Sequence, residues 1–307
     1  MKPLAAAAAL VLATLAAPAQ AGLPGLCDRP PTLGALQQAR LLQFSELIRR
    51  ELAKADTGTA LVARSGTDLG RFGIRYSHAA LALRDNPLAP WAVRQLYYAC
   101  DEARPRLFDQ GLAGFVSGTD DAERGFVSVL LLPPEDGRAV QAAALDNPRA
   151  LRLLGATYSA NAYAWATRYQ NCNQWVAELL ADAWQPLADA WQPLDGSSTP
   201  RDQAQAWLRA QGYVPTPVAV GSHALVFAAQ LVPYVHTGDH PLADLQALTM
   251  RVSLPASIEA FVQRRLPGAQ RLEFCHAGGR AVLRRGGGPL DAACEAGPGD
   301  EVVALDD

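Results

Sequence analysis

Tyr169-Gln170-Asn171-Cys172-Asn173-Gln174-Trp175-Val176-Ala177-Glu178-Leu179-Leu180 passes without a break from a polar run into an amphipathic helical pattern. This reading puts the Cys172 thiol at the start of a helix. Backbone N–H groups and the positive end of the helix dipole gather there, so the position favours thiolate over thiol. A nucleophile needs that setting. A half-buried cysteine that merely packs also fits it.

The compartment bears on the choice. Lys2, an apolar stretch from Leu4 to Leu15, and Ala19-Gln20-Ala21 ahead of Gly22 read as a secretory signal peptide over residues 1–21. Cleavage after Ala21 predicts a periplasmic or secreted chain. The apolar stretch is too short to span a bilayer, and no later segment offers the roughly 18 apolar residues a span needs. Cys27 follows Gly25-Leu26, without the small neighbour of a lipid-modification site, and reads as an ordinary cysteine.

Exported thiols tend to pair. The chain has Cys27, Cys100, Cys172, Cys275 and Cys294, and an odd count leaves one thiol over. Cys275 and Cys294 share a Gly-rich stretch and are the expected bridge. Cys27 with Cys100 is the natural second pair, which leaves Cys172 free.

A thiol nucleophile works with a histidine that a further polar group orients. His78 lies in Gly73-Ile74-Arg75-Tyr76-Ser77-His78-Ala79-Ala80-Leu81-Ala82-Leu83, which reads as a strand. Asp85-Asn86-Pro87 then signals a turn, and Trp91-Ala92-Val93-Arg94-Gln95-Leu96-Tyr97-Tyr98 reads as a second strand. Paired as an antiparallel hairpin, the two runs set His78 roughly opposite Tyr97, with Gln95 and Tyr97 on its face. Gln95 can then accept from one ring nitrogen and leave the other for the thiol. The alternative is a strand histidine satisfied by backbone.

A strand with Ser77-His78-Ala79-Ala80-Leu81-Ala82, a second strand with a polar residue, and a later Asn171-Cys172-x-x-Trp175-Val176-x-Glu178-Leu179 helix resemble the circularly permuted papain-like hydrolases, the NlpC-type and lecithin:retinol acyltransferase-like group. In that branch the histidine strand precedes the cysteine helix, as here. The chain also resembles an uncharacterised family of secreted proteobacterial proteins. The resemblance covers about residues 60–185. It implies an α+β fold with a permuted papain-like core, an antiparallel sheet packed on helices. It also implies Cys172 as nucleophile, His78 as base and Gln95 as orienting group, acting on a peptide or acyl substrate in the cell envelope. A non-catalytic envelope protein that keeps the fold for binding or assembly is the competing class.

His223 offers a rival base, because Gly221-Ser222-His223-Ala224-Leu225-Val226-Phe227 also reads as a histidine opening a strand, in unpermuted order. A Pro-rich stretch and a helical pattern over Thr199 to Leu208 intervene, and Pro233 interrupts the run after it. These features favour His78.

A net charge of −3 gives no broad attraction to nucleic acid or anionic membrane. Half of the residues are apolar, enough for a large core in the expected main domain over 22–249 and a small β-rich C-terminal region over 250–307. Thr32 is positioned to cap a helix with Leu36, Leu41, Phe44, Ile48 and Leu52 inside and Arg40, Arg49, Arg50 and Glu51 on the wet side. Strands are expected at Ala60 to Arg64, Phe126 to Leu132, Gln270 to Cys275, Ala281 to Arg285 and Glu301 to Leu305. Short helices are expected at Val140 to Leu145, Pro148 to Leu154 and Leu254 to Val262. Tyr158, Tyr163, Trp165 and Tyr169 come close to the Cys172 helix and read either as the lining of a substrate groove or, the favoured reading, as core packing.

Ala181-Asp182-Ala183-Trp184-Gln185-Pro186-Leu187 recurs as Ala188 to Leu194 and is expected as an extended surface loop. His236-Thr237-Gly238-Asp239-His240 has two histidines at i and i+4, but Gly238 and Pro241 argue for a loop and against a metal site. No phosphate-binding glycine loop and no Gly-x-Ser-x-Gly elbow is present. No cofactor and no metal are expected.

Overall fold

The computed structural model describes residues 33–185 and 198–305. The signal-peptide reading, Thr32, Cys27 and most of the tandem repeat lie outside the described residues. In chain order the elements are α1 (Ala35–Ala53), β1 (Thr59–Arg64), β2 (His78–Leu83), β3 (Ala92–Ala99), β4 (Arg104–Gln110), α2 (Leu112–Ser117) and β5 (Arg124–Leu131). They continue as α3 (Pro134–Leu145), α4 (Asn147–Arg152), α5 (Cys172–Trp184), α6 (Pro200–Ala210), β6 (Thr216–Ala219), α7 (His223–Ala229) and α8 (Leu242–Gln246). The last are β7 (Thr249–Val252), α9 (Pro255–Arg265), β8 (Gln270–Ala277), β9 (Arg280–Arg285) and β10 (Glu301–Ala304).

The fold is α+β, built on an 8-stranded antiparallel sheet in the order β10-β9-β8-β5-β1-β2-β3-β4. Strands β1 and β2 are buried along their whole length because both faces of the sheet are covered. Alternation divides their side chains between two cores. Leu61, Ala79, Leu81, Leu83 and Leu130 face α3, α5, α6 and α9. Ala60, Val62, Ala80, Ala82 and Val129 face α1 and α2. The helices therefore sandwich the sheet. The C-terminal region is β-rich, as its sequence implies, and β8 joins the sheet directly, pairing with β5 from Arg124↔Ala277 to Leu131↔Gln270. The Cys275–Cys294 disulfide ties the segment after β9 back to β8.

Several local expectations are corrected. The N-cap of the first helix is Gly34, and Leu36 is exposed. Glu51 is buried, with Lys54 Nζ at 2.5 Å and Arg285 Nη2 at 3.0 Å, because the end of β9 brings Arg285 to a face that helical periodicity alone marks as wet. The first repeat copy is not all loop, since α5 continues through Trp184 and stops before Pro186. The Gly73 to Ser77 run precedes the strand, which begins at His78. The His223 segment is helix α7, because the Ser222 side chain accepts from the Leu225 N–H and caps a helical turn where a strand was read.

Candidate active site

Helix α5 starts at Cys172, as the quoted stretch implies. Asn171 is its N-cap: Oδ1 accepts from the Gln174 N–H at 2.7 Å, while Nδ2 donates to Ala160 O at 3.2 Å and Ser253 O at 3.3 Å. One turn on, Trp175 is fully buried and its Nε1–H donates to Ala150 O. Deeper still, the Glu178 carboxylate collects Arg201 Nε at 2.8 Å, Gln205 Nε2 at 2.8 Å and Gln170 Nε2 at 2.6 Å. Gln170 also accepts from the Gly155 N–H at 2.7 Å. A buried carboxylate with this many donors holds both the helix and the turn that delivers Cys172 to it.

His78 comes from the opposite direction. The β2–β3 ladder pairs Leu81↔Arg94, Ala82↔Val93 and Leu83↔Ala92, and it opens beyond them. Continuing that register sets His78 opposite Tyr97, the relationship read from sequence. Asn173 occupies the opening: its Oδ1 accepts from the Ala79 N–H at 2.8 Å, and its Nδ2 donates to Ser77 O at 3.1 Å. The residue after the cysteine thus takes the backbone groups on both sides of the histidine. His78 Nε2 lies 2.6 Å from Gln95 Oε1 across the same opening. Paired with a carbonyl oxygen, Nε2 carries the proton, and Nδ1 is left as the basic nitrogen.

By alternation, His78 and Gln95 point to the face of α1 and α2, and the Phe115 ring of α2 lies 6.0 Å from the imidazole. Cys172 packs with the core on the other face. Where the ladder opens, both line one cavity of about 370 Å³. Its walls include Arg64, Tyr98, Tyr158 and Tyr234. Tyr98 stacks on Tyr158 with ring centres 5.2 Å apart and meets Tyr234 at 5.5 Å. Arg64 is the cross-strand partner of His78 in the β1–β2 ladder.

The electrostatics correct one expectation. Burial pushes the Cys172 thiol up to about 11, although the Asn173 and Cys172 backbone N–H groups, the Arg64 guanidinium and the Tyr158 hydroxyl all act in the opposite direction. Burial also lowers His78 to about 3, Arg64 adding to the effect and Gln95 opposing it. The helix start does supply thiolate-favouring donors, but desolvation outweighs them. Both shifts favour the neutral forms, a thiol and an imidazole that line the same cavity.

Cys172 is a free, buried cysteine. Cys100, on the cavity wall, is disulfide-bonded, and its expected partner Cys27 lies outside the described residues. His223 is exposed on α7 and is not among the residues lining this cavity. His236 stacks on Tyr169 at 4.7 Å, and His240 Nε2 lies 2.7 Å from Asn161 O. Among the described residues, no group of three or more His, Cys, Asp or Glu side chains is placed to hold a metal ion.

Two residues of this site carry no sequence signal. Asn173 looks like an ordinary polar residue of a first helical turn. Arg64 ends a short strand with nothing to mark it. Tyr158 belongs to the aromatic cluster for which packing is the favoured reading, yet its hydroxyl hydrogen-bonds the Cys172 sulfur.

No curated protein and no solved structure matches the chain. Residues 51–262, which carry His78, Gln95 and Cys172, match the family described as "Uncharacterized protein conserved in bacteria (DUF2145)". With more than half of its length matched, the chain belongs to that bacterial family.

Proposed function

We propose that this protein is an exported thiol hydrolase or acyltransferase of the permuted papain-like type, acting on an amide or ester. The observation that carries the reading is the Asn173 bridge, which fixes the cysteine helix to the backbone on either side of His78 beside a cavity that both residues line. Substrate entry brings an acyl carbon to the Cys172 sulfur. The sulfur–carbon bond forms as the thiol proton passes to the basic nitrogen of His78. The same proton then goes to the departing nitrogen or oxygen as that bond breaks. Water, activated by His78, releases the acyl group, or an acceptor alcohol or amine takes it. The Asn173 and Cys172 backbone N–H groups and the Tyr158 hydroxyl donate towards the sulfur, and the Cys172 N–H and the Tyr158 hydroxyl are assigned to the developing oxyanion.

An exported location, read from residues 1–21, points to cell-wall peptide amides as the substrate class, an assignment by analogy. The competing reading is a non-catalytic envelope protein. The neutral resting state of the Cys172–His78 pair favours it. Assays on murein peptides and phospholipids with wild type, Cys172→Ala and His78→Ala separate the two. Cleavage of either class, abolished by Cys172→Ala and reduced about 10²- to 10⁴-fold by His78→Ala, supports the enzyme. Binding without cleavage, unchanged by either substitution, supports the alternative.

A further inference from the structure

Besides the cysteine, the histidine and the tyrosines, the cavity wall carries two ionisable side chains, Arg64 and Asp120. Asp120 is exposed, and its Oδ2 accepts from the Asp68 N–H at 3.0 Å. Arg64 is buried and belongs to the reacting end of the cavity. It faces His78 across the β1–β2 ladder, and its charge is felt at both His78 and Cys172.

The position of the guanidinium is built. It sits over the Phe115 ring at 5.5 Å from the centroid. Glycines flank it: a Cβ on Gly66 would come within 2.5 Å of Nη1, and one on Gly118 within 2.6 Å of Nη2. A guanidinium stacked by one face on an aromatic ring directs its N–H groups sideways, in the fork geometry that suits a planar carboxylate. Buried in a cleft, such a cation also concentrates anions there.

We propose that Arg64 is the substrate-recognising cation of this site and that the acyl donor carries a carboxylate close to the carbonyl attacked by Cys172. This assignment rests on the thiol-hydrolase reading and adds the substrate's charge to it. Arg64 is a specificity-determining residue, holding the donor's carboxylate in a cavity that Tyr98, Tyr158 and Tyr234 also line.

The test compares alkylation of Cys172 in the full chain by iodoacetate, which carries a carboxylate, and by iodoacetamide, its neutral counterpart. Both reactions join the sulfur to the same carbon and expel iodide, so their rate ratio at one pH cancels the thiolate fraction. 2-Mercaptoethanol, which carries no charged group besides the thiolate, gives the ratio for an unassisted thiol. The expected result is a ratio about tenfold above that of 2-mercaptoethanol. Arg64→Met should return it to the 2-mercaptoethanol value, and Arg64→Lys should leave it between the two. A guanidinium that only tuned the thiol would move both reagents equally, and an unchanged ratio in Arg64→Met would overturn the proposal. Since Arg64→Met removes a buried side chain and can cost folding, a wild-type measurement stands beside it: malonate should slow iodoacetamide labelling and neutral malonamide should not. Equal effects of malonate and malonamide would overturn the proposal. If iodoacetamide labels Cys172 with no preference for iodoacetate, Arg64 recognition fails and the thiol reading stands. If neither reagent reaches Cys172 in the folded protein, both fail.

Discussion

Asn173 Oδ1 accepts a hydrogen bond from the Ala79 N–H at 2.8 Å, so the residue after the candidate nucleophile grips the residue after the candidate base. With the second bond to Ser77 O, one side chain substitutes for the missing rungs of the β2–β3 ladder. Asn173→Ala leaves a buried N–H and a partly buried carbonyl without this partner and is expected to cost about 1–3 kcal/mol of stability. Turnover should fall by more than the loss of folded protein explains. Urea denaturation and an activity assay on the folded fraction measure the two effects separately.

Gln95 Oε1 fixes which nitrogen of His78 is free. Gln95→Leu should lower turnover about tenfold to a hundredfold by letting the ring rotate, less than the loss from His78→Ala. Gln95→Glu places an anion beside the ring and should raise its pKa, moving the acid limb of the pH–rate profile to higher pH. The profiles of the three proteins, recorded on one ester substrate, check both effects.

With the thiol held at about 11 and His78 at about 3, the ligand-free protein holds almost no thiolate at neutral pH. Alkylation of Cys172 by iodoacetamide should therefore rise about tenfold per pH unit from about pH 7 to 10, without the acid-range plateau of a preformed thiolate–imidazolium pair. A plateau below neutral pH would show that the pair ionises before substrate binds.

The same histidine links folding to pH. Its folded pKa of about 3 lies below the ordinary 6.5, so the unfolded chain takes up the proton first as pH falls. The stability contributed by neutral His78 is fully present above 6.5 and is lost as pH falls through that value towards about 3. His276, lowered to about 4 by burial, acts in the same direction. Replacing His78 with Gln should reduce the acid-induced loss, seen as a smaller difference between denaturation midpoints at pH 7 and pH 5.

Beneath α5, Glu178 and Arg201 are both buried and directly paired. Burial raises the Glu178 pKa against the pull of Arg201, Gln205 and Gln170. Arg201→Met leaves a buried carboxylate without its cation and should destabilise by about 3–5 kcal/mol. Arg201→Met combined with Glu178→Leu should recover most of that loss in urea denaturation, because no buried charge is then stranded.

What the sequence revealed followed from periodicity. The strands at Thr59–Arg64 and Arg124–Leu131, the helix opening at Cys172 and the Gln95 contact to His78 are all readable from alternation, helical spacing and turn residues. Contacts set by the meeting of distant segments were not readable. Tyr158 reaches Cys172 from a stretch with no regular structure, where no period announces which ring points inwards. The thiol's ionisation is not legible in the sequence because helix position can be read locally, whereas burial depends on the whole core. His223 was read as a strand residue because Ser222, as a cap, is indistinguishable from a strand's polar edge until the Leu225 N–H turns back to it.

The most direct measurement is mass spectrometry of the full chain quenched during turnover of an activated ester such as p-nitrophenyl acetate. The account predicts an acyl group on Cys172, absent in Cys172→Ala and formed far more slowly in His78→Ala, where no base takes the thiol proton. Ester turnover that survives Cys172→Ala, or an acyl group found only on other residues, would contradict it.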